Sequence, residues 1–328
     1  MRHKVNKRDH HWELASREFV RAVRGKRSQR ALCLRLGYKG KPVADWERGR
    51  RFPSAATLLQ ACAKIGIDIP RAMHRFHAEA APLAQELNSA ALARWLNRMR
   101  ANIPIVALSE RSGYPRFSVS RWLSGQSQPR FPQFLALLDA ITGRASDFIA
   151  EIVDIDLVPT LRGDYKRLQA HRQAAYEEPW TAAVQRVLET EAYLELPVHI
   201  KGWIASYLGV TIDTEERCLS RLQDAGIVIF DGGKFRCDPS TVDTRRTAKE
   251  NLSIKAHWCA VAAQRLPKSR DGDLFAYNVV SASREDCDKI EAILRSAYRE
   301  ISSLVTVSEP QQEVALIQVQ MMRFRPPE

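Results

Sequence analysis

The stretch Ser28–Asp68, SQRALCLRLGYKGKPVADWERGRRFPSAATLLQACAKIGID, decides how the N-terminal half of the chain is read. Its apolar residues Leu32, Leu36, Val43, Trp46, Leu58, Leu59 and Ile65 recur at helical spacing, interrupted by Gly37 and Gly49. Each glycine ends an apolar-periodic segment, where a helix terminus takes a left-handed φ that glycine adopts without strain. Pro42 is placed to open a helix, since the N–H it lacks is unsatisfied there in any residue. Pro53 then precedes a fresh amphipathic run, SAATLLQACAKI. The order is short helix, tight turn, short helix, glycine stop, longer helix.

Working outward, the same order returns in 103–141, IPIVALSERSGYPRFSVSRWLSGQSQPRFPQFLALLDAI. At one constant offset Leu32 falls on Leu108, Gly37-Tyr38 on Gly113-Tyr114, and Val43 on Val119. Trp46 falls on Trp122, Gly49 on Gly125, Pro53 on Pro129 and Ile65 on Ile141. Phe134 and Leu135 complete the second apolar set. Two helices joined by a tight turn, the second projecting from a small core, is the order of a helix-turn-helix.

The first copy resembles the Cro/C1-type (xenobiotic-response-element) helix-turn-helix family. The residues that carry the resemblance are Gln29, Leu32-Cys33, Gly37, Val43, Trp46-Glu47-Arg48-Gly49 and Pro53, and it covers about 60 residues. The second copy keeps the glycine, Val119-Ser120, Trp122 and the later glycine and proline. It departs at Ile105, where the family has a glutamine that touches phosphate, and at Leu123, where it has the glutamate after tryptophan. The resemblance implies a five-helix domain for each copy and a recognition helix that enters the major groove.

In the first copy that helix is expected to begin near Lys41-Pro42, with Lys39, Lys41, Ala44, Asp45 and Arg48 facing outward. The equivalents in the second are Arg116, Phe117, Ser118, Ser120 and Arg121. Arginine bidentate to guanine is the commonest specific contact, and serine can donate to or accept from several bases. Gln29, Arg30, Arg50, Arg51 and Arg130 are candidates for phosphate contacts, which set affinity but carry no sequence information. The competing reading is that these charges only solvate helix faces. Two such units in one chain amount to an internal pseudo-dimer, joined by a helical-looking linker over residues 70–96. His74 and His77 in that linker have no third ligand in view and read as a solvated face.

Composition supports a polyanionic partner for this half alone. Residues 1–150 hold 27 Lys+Arg against 11 Asp+Glu, whereas 151–328 hold 23 against 27. The whole excess of the +12 net charge therefore lies in the first half. The six cysteines, Cys33, Cys62, Cys218, Cys237, Cys259 and Cys287, form no C-x-x-C pair, so neither a zinc knuckle nor a disulfide framework is expected. No run of about 18 apolar residues occurs, and no apolar signal core follows the basic MRHKVNKRDHH, which points to a cytoplasmic protein without a membrane span.

After about residue 155 the character changes. A polar connector, LRGDYKRLQAHRQAAYEEPW, leads to helices in TAAVQRVLETEAY, HIKGWIASYLGV and TIDTEERCLSRLQDAG. IVIFDGGKFRCD reads as a hairpin on a Gly-Gly turn. Three helices and a hairpin is a winged-helix order, but Asp213, Glu215 and Glu216 open the third helix, where carboxylates would meet phosphates unfavourably. A packing or protein-contact role is the reading for this module. Residues 244–266 form another amphipathic segment, and DLFAYNVVSAS reads as a strand. Ser283 with Asp286 resembles a capping box before a long helix, and EVALIQVQMMRF reads as a closing strand. The layout from Tyr176 to Phe324 resembles a family of bacterial presumed regulators of unknown function, for which no catalytic residues are established.

The expected architecture is mainly α. Two tandem five-helix HTH domains (1–80 and 88–155) and a connector (156–178) precede a winged-helix-like module (179–240) and a small α+β C-terminal domain (241–328). None of G-x-G-x-x-G, a P-loop, G-x-S-x-G or H-E-x-x-H is present, so no enzyme, no cofactor, no catalytic residue and no metal site is expected. The function expected is sequence-specific transcriptional regulation on double-stranded DNA. The C-terminal half would dimerise the chain into a homodimer or sense an unknown effector. The alternative is a protein-interaction adaptor or antitoxin-like partner on the same scaffold, with weak DNA binding.

Overall fold

The structure is a computed structural model that describes residues 7–78, 80, 86–100, 102–237 and 248–324. It is mainly helical, with one small two-stranded antiparallel sheet among the described residues. The chain divides between Gln169 and Ala170 into two units. No helix among the described residues is long and apolar enough to cross a membrane.

The first unit opens with α1 (Lys7–Arg24), α2 (Gln29–Arg35), α3 (Pro42–Arg48), α4 (Ala55–Lys64) and α5 (Ile69–Phe76). Five more helices follow: α6 (Ser89–Arg100), α7 (Ile105–Ser112), α8 (Arg116–Leu123), α9 (Phe131–Thr142) and α10 (Ala145–Ala150). Laid over one another by the repeat, α2 to α5 nearly coincide with α7 to α10, and α6 with the C-terminal part of α1. Local chemistry sets the boundaries. The Ser28 hydroxyl accepts the Ala31 N–H and Ser54 accepts that of Thr57, each satisfying an orphan donor of a first turn. Gly49, at φ 72°, ends α3, and a Cβ there would stand 3.1 Å from the Arg17 side chain, so both conformation and space select glycine. Residues 79 and 81–85 of the expected helical linker lie outside the described residues.

The two sets share one hydrophobic core. Phe19 of α1 stacks on Phe131 of α9 with centroids 4.9 Å apart, and Phe76, Trp95, Phe134 and Phe148 pack as an aromatic cluster. Between the sets the backbone pairs reciprocally. The Ala55 N–H donates to Pro129 O at 3.1 Å, and the Phe131 N–H donates to Pro53 O at 2.9 Å. The repeat carries Ala55 onto Phe131 and Pro53 onto Pro129. The two bonds are thus one contact made twice with the partners exchanged, which is the signature of a two-fold meeting of like surfaces.

α11 (Pro159–Glu177) occupies most of the expected connector as one helix. In the second unit, α12 (Thr181–Leu188), α13 (Glu191–Leu194), α14 (Trp203–Leu208) and α15 (Ile212–Asp224) lead into β1 (Val228–Asp231) and β2 (Lys234–Cys237). The strands pair from Val228↔Cys237 to Asp231↔Lys234, around Gly232 and Gly233, both at positive φ. Val184, Leu188, Tyr193, Ile204, Leu222 and Val228 are among the residues of their core. α16 (Ala248–Arg265) and α17 (Arg284–Val307) follow, α17 being capped by Ser283 as its sequence implies. Residues 244–247 of the amphipathic segment lie outside the described residues. One expectation is corrected here. DLFAYNVVSAS and EVALIQVQMMRF belong to no strand among the described residues, because neither finds a backbone ladder partner among them.

Candidate nucleic-acid interface

In the first set, α3 turns Val43 and Trp46 inward, and the Trp46 ring meets Tyr38 edge-on at 5.8 Å. That leaves Lys39, Lys41 and Arg48 exposed, flanked by the exposed Arg30, Arg50 and Arg51. Ala44 is corrected: it is only 8 % exposed, whereas the longer Arg48, four residues on along the same side of α3, reaches solvent. Asp45 is half-buried and paired to Arg50 at 3.3 Å, so it offsets one of the cations beside it.

Glu47 organises the back of this helix. Its carboxylate is buried and accepts from Arg24 Nε at 2.5 Å and from Gln29 Nε2 at 2.6 Å. Its carbonyl oxygen, in the last turn of α3, accepts from Arg17 Nε at 3.1 Å and Arg21 Nη2 at 3.2 Å. Arginines at a helix C-terminus meet the negative end of its dipole. Sequence reasoning singled out Gln29 for phosphate and missed Arg17, Arg21 and Arg24. Their spacing of four and three on α1 marks one helix face, but only packing reveals that α3 ends against that face. Gln29 is held by Glu47 and stands half-buried at the start of α2.

The second set repeats the scaffold with different chemistry. Tyr114 meets Trp122 edge-on at 5.2 Å, as Tyr38 meets Trp46. Asn97 takes the place of Arg21 and donates to Leu123 O at 2.5 Å, the equivalent of Glu47 O. Ile105 and Leu123, where the first set has Gln29 and Glu47, join the shared core instead. Arg100 stands where Arg24 does, and with no glutamate there its Nε is buried without a hydrogen-bond partner among the described residues. Burial lowers its pKa, since the charged form is the one desolvated.

On the outer side of α8, Arg116 and Arg121 are exposed, while Ser118 and Ser120 are half-buried. Phe117 is 72 % exposed, with the Arg121 guanidinium 5.5 Å from its ring centroid. No acidic residue lies on α8. Arg130 is exposed at the start of α9, its N–H donating to Gln133 Oε1 at 2.9 Å.

In the second unit the acidic opening of α15 differs from its sequence reading. Glu215 faces inward, fully buried, and caps α14 by accepting from Gly202 N at 2.9 Å and Ala205 N at 2.5 Å. His199 Nε2 lies 3.5 Å from the same carboxylate. Only Asp213 and Glu216 remain outside, paired with Arg217 and Lys201 respectively. The expected repulsion of phosphate therefore rests on two compensated carboxylates. No family model matches the chain, and no curated protein or solved structure matches it.

Proposed function

We propose that the chain is a sequence-specific DNA-binding transcriptional regulator in which α2–α3 and α7–α8 are two helix-turn-helix units, with a C-terminal half for dimerisation or effector sensing. The observation that carries this reading is the reciprocal pairing of Ala55 with Pro129 and Phe131 with Pro53, together with the basic outer faces of α3 and α8. Two-fold proteins of this class read half-sites about one helical turn apart, and their symmetry is mirrored in the operator. Here the two halves belong to one chain, so the operator need not be a palindrome. Lys39, Lys41 and Arg48 would face one half-site, and Arg116, Phe117, Ser118, Ser120 and Arg121 the other. Arg30, Arg50, Arg51 and Arg130 would neutralise phosphates, with Gln29 placed at the N-terminal end of α2, which would approach the backbone.

Selection from random double-stranded DNA with the purified full chain tests the proposal. The expected product is a motif of two unlike half-sites centred about 10 base pairs apart. Affinity for it should fall about a thousandfold or more between 50 and 200 mM salt if six or more phosphates are contacted. A selection that yields no motif would overturn the reading and favour a protein-interaction adaptor or antitoxin-like partner.

A further inference from the structure

We infer that residues 274–282 and 313–324 are the strands of a sheet completed by a second copy of this chain. The inference rests on the proposed assembly role of the C-terminal half and is independent of DNA binding. Among the residues from 251 to 324 whose side chains are described, none is buried. Apolar side chains nevertheless crowd this stretch, with Tyr277 95 % and Phe324 87 % exposed. Ile293 and Leu304 on α17 are exposed as well. A large exposed apolar surface of this kind marks an interaction site.

Two further observations say what kind of partner covers it. First, the backbone of 274–282 and of 313–324 makes no hydrogen bond to another backbone group among the described residues. An open edge of this sort pairs with another strand edge. Both segments are already held in place: Glu191 N donates to Gln311 O just before the second, whose Arg323 pairs with Asp288 and Glu291 of α17, and Ser283 caps α17 just after the first. Two strands by themselves are marginal in water and three or more are needed, a number that two copies reach with four. Second, residues 248–324 carry ten Lys+Arg and ten Asp+Glu. A neutral apolar surface meets its own copy without net repulsion, whereas a nucleic acid would find no excess positive charge to bind. Two-fold pairing also lets every contact be made twice, which closes the assembly at a dimer.

The test uses the full chain, with mass measured by sedimentation equilibrium and amide hydrogen exchange read over 274–282 and 313–324. The expected result is a dimer whose amides in both segments are protected and lose protection on dilution below its dissociation constant. Val319→Asp, and separately Tyr277→Asp, should weaken the dimer about a hundredfold by burying an unpaired charge. Because both side chains are exposed in the single chain, far-ultraviolet circular dichroism should not change. A monomer at tens of micromolar with freely exchanging amides overturns the inference. So does a dimer with both segments unprotected, or protection that appears only when another protein or an apolar ligand is added. A monomer that still selects a DNA motif would sink this inference and spare the functional one; a strand-paired dimer that selects none would do the reverse.

Discussion

The two helical sets of the first unit have the same scaffold and opposite solutions for one corner of it. In the first, Glu47 is a buried carboxylate shared by Arg24 and Gln29. In the second, the same three positions are Leu123, Arg100 and Ile105, and the corner is apolar. The carboxylate and its amide partner have been replaced together, so neither of those two groups is left buried without the other. Arg100 alone keeps the old chemistry, and its Nε has no partner among the described residues. The contacts common to both sets are those made to backbone or between rings: Arg21 to Glu47 O, as Asn97 to Leu123 O, and Tyr38 on Trp46, as Tyr114 on Trp122. What the comparison teaches is that the scaffold is held by contacts indifferent to the corner residues, which leaves the corner and the outer face free to diverge.

The largest expected effect comes from the centre of the two-fold. Phe131 corresponds by repeat to Ala55, so Phe131→Ala makes the pair alike while opening a cavity under Phe19. It should destabilise the first unit by about 3–5 kcal/mol in urea unfolding. A loss below about 1 kcal/mol would mean that the two sets are not held by their shared core.

Next is Glu47→Leu, which gives the first set the residue of the second and strands Arg24 and Gln29. A cost of about 2–4 kcal/mol is expected. Adding Gln29→Ile should recover part of it, and strict additivity of the two changes would show that the corner is not a coupled unit.

The outer faces are compared by binding. Lys41→Ser should weaken DNA binding for all sequences and lower the salt slope by about one. Phe117, the equivalent position in the second set, carries no charge. Phe117→Ser should leave that slope unchanged and cost about 1–3 kcal/mol at its preferred base pair alone. Equal effects of the two changes on the slope would break the assignment of unlike half-sites.

The smallest effect is expected for Arg100→Met. Removing a partly desolvated cation without a carboxylate partner should change stability by less than about 1 kcal/mol, in the stabilising direction. Arg24→Met, by contrast, should destabilise by about 2 kcal/mol, since it leaves Glu47 with one donor fewer. Thermal unfolding of the two variants side by side checks the pair.

Much of the helical architecture was legible because its signals are local. Glycines at helix ends, serine caps, Pro42 and the period of the apolar residues each act within a turn or two, and the internal repeat shows most of them a second time. The basic outer faces were legible too; the exception among the residues expected to face outward is Ala44, whose short methyl is buried while Arg48 on the same side of α3 is exposed. The two C-terminal segments form no ladder here for a different reason. Alternation and β-branching report that a segment is suited to a sheet, but a ladder needs a partner edge, and neither segment has one within the described chain.

By itself, then, the sequence determined many of the helices and their caps, the internal repeat and the division of charge between the two halves, all of which follow from residue type and short spacing. Only the tertiary structure decided that Ala55, Pro53, Phe131 and Pro129 meet across a two-fold, that Arg17, Arg21 and Arg24 close on α3, and that Glu215 points inward to cap α14. Those contacts join residues well separated along the chain, and no local propensity encodes which backbone carbonyl or carboxylate will stand opposite a given donor once the cores have packed.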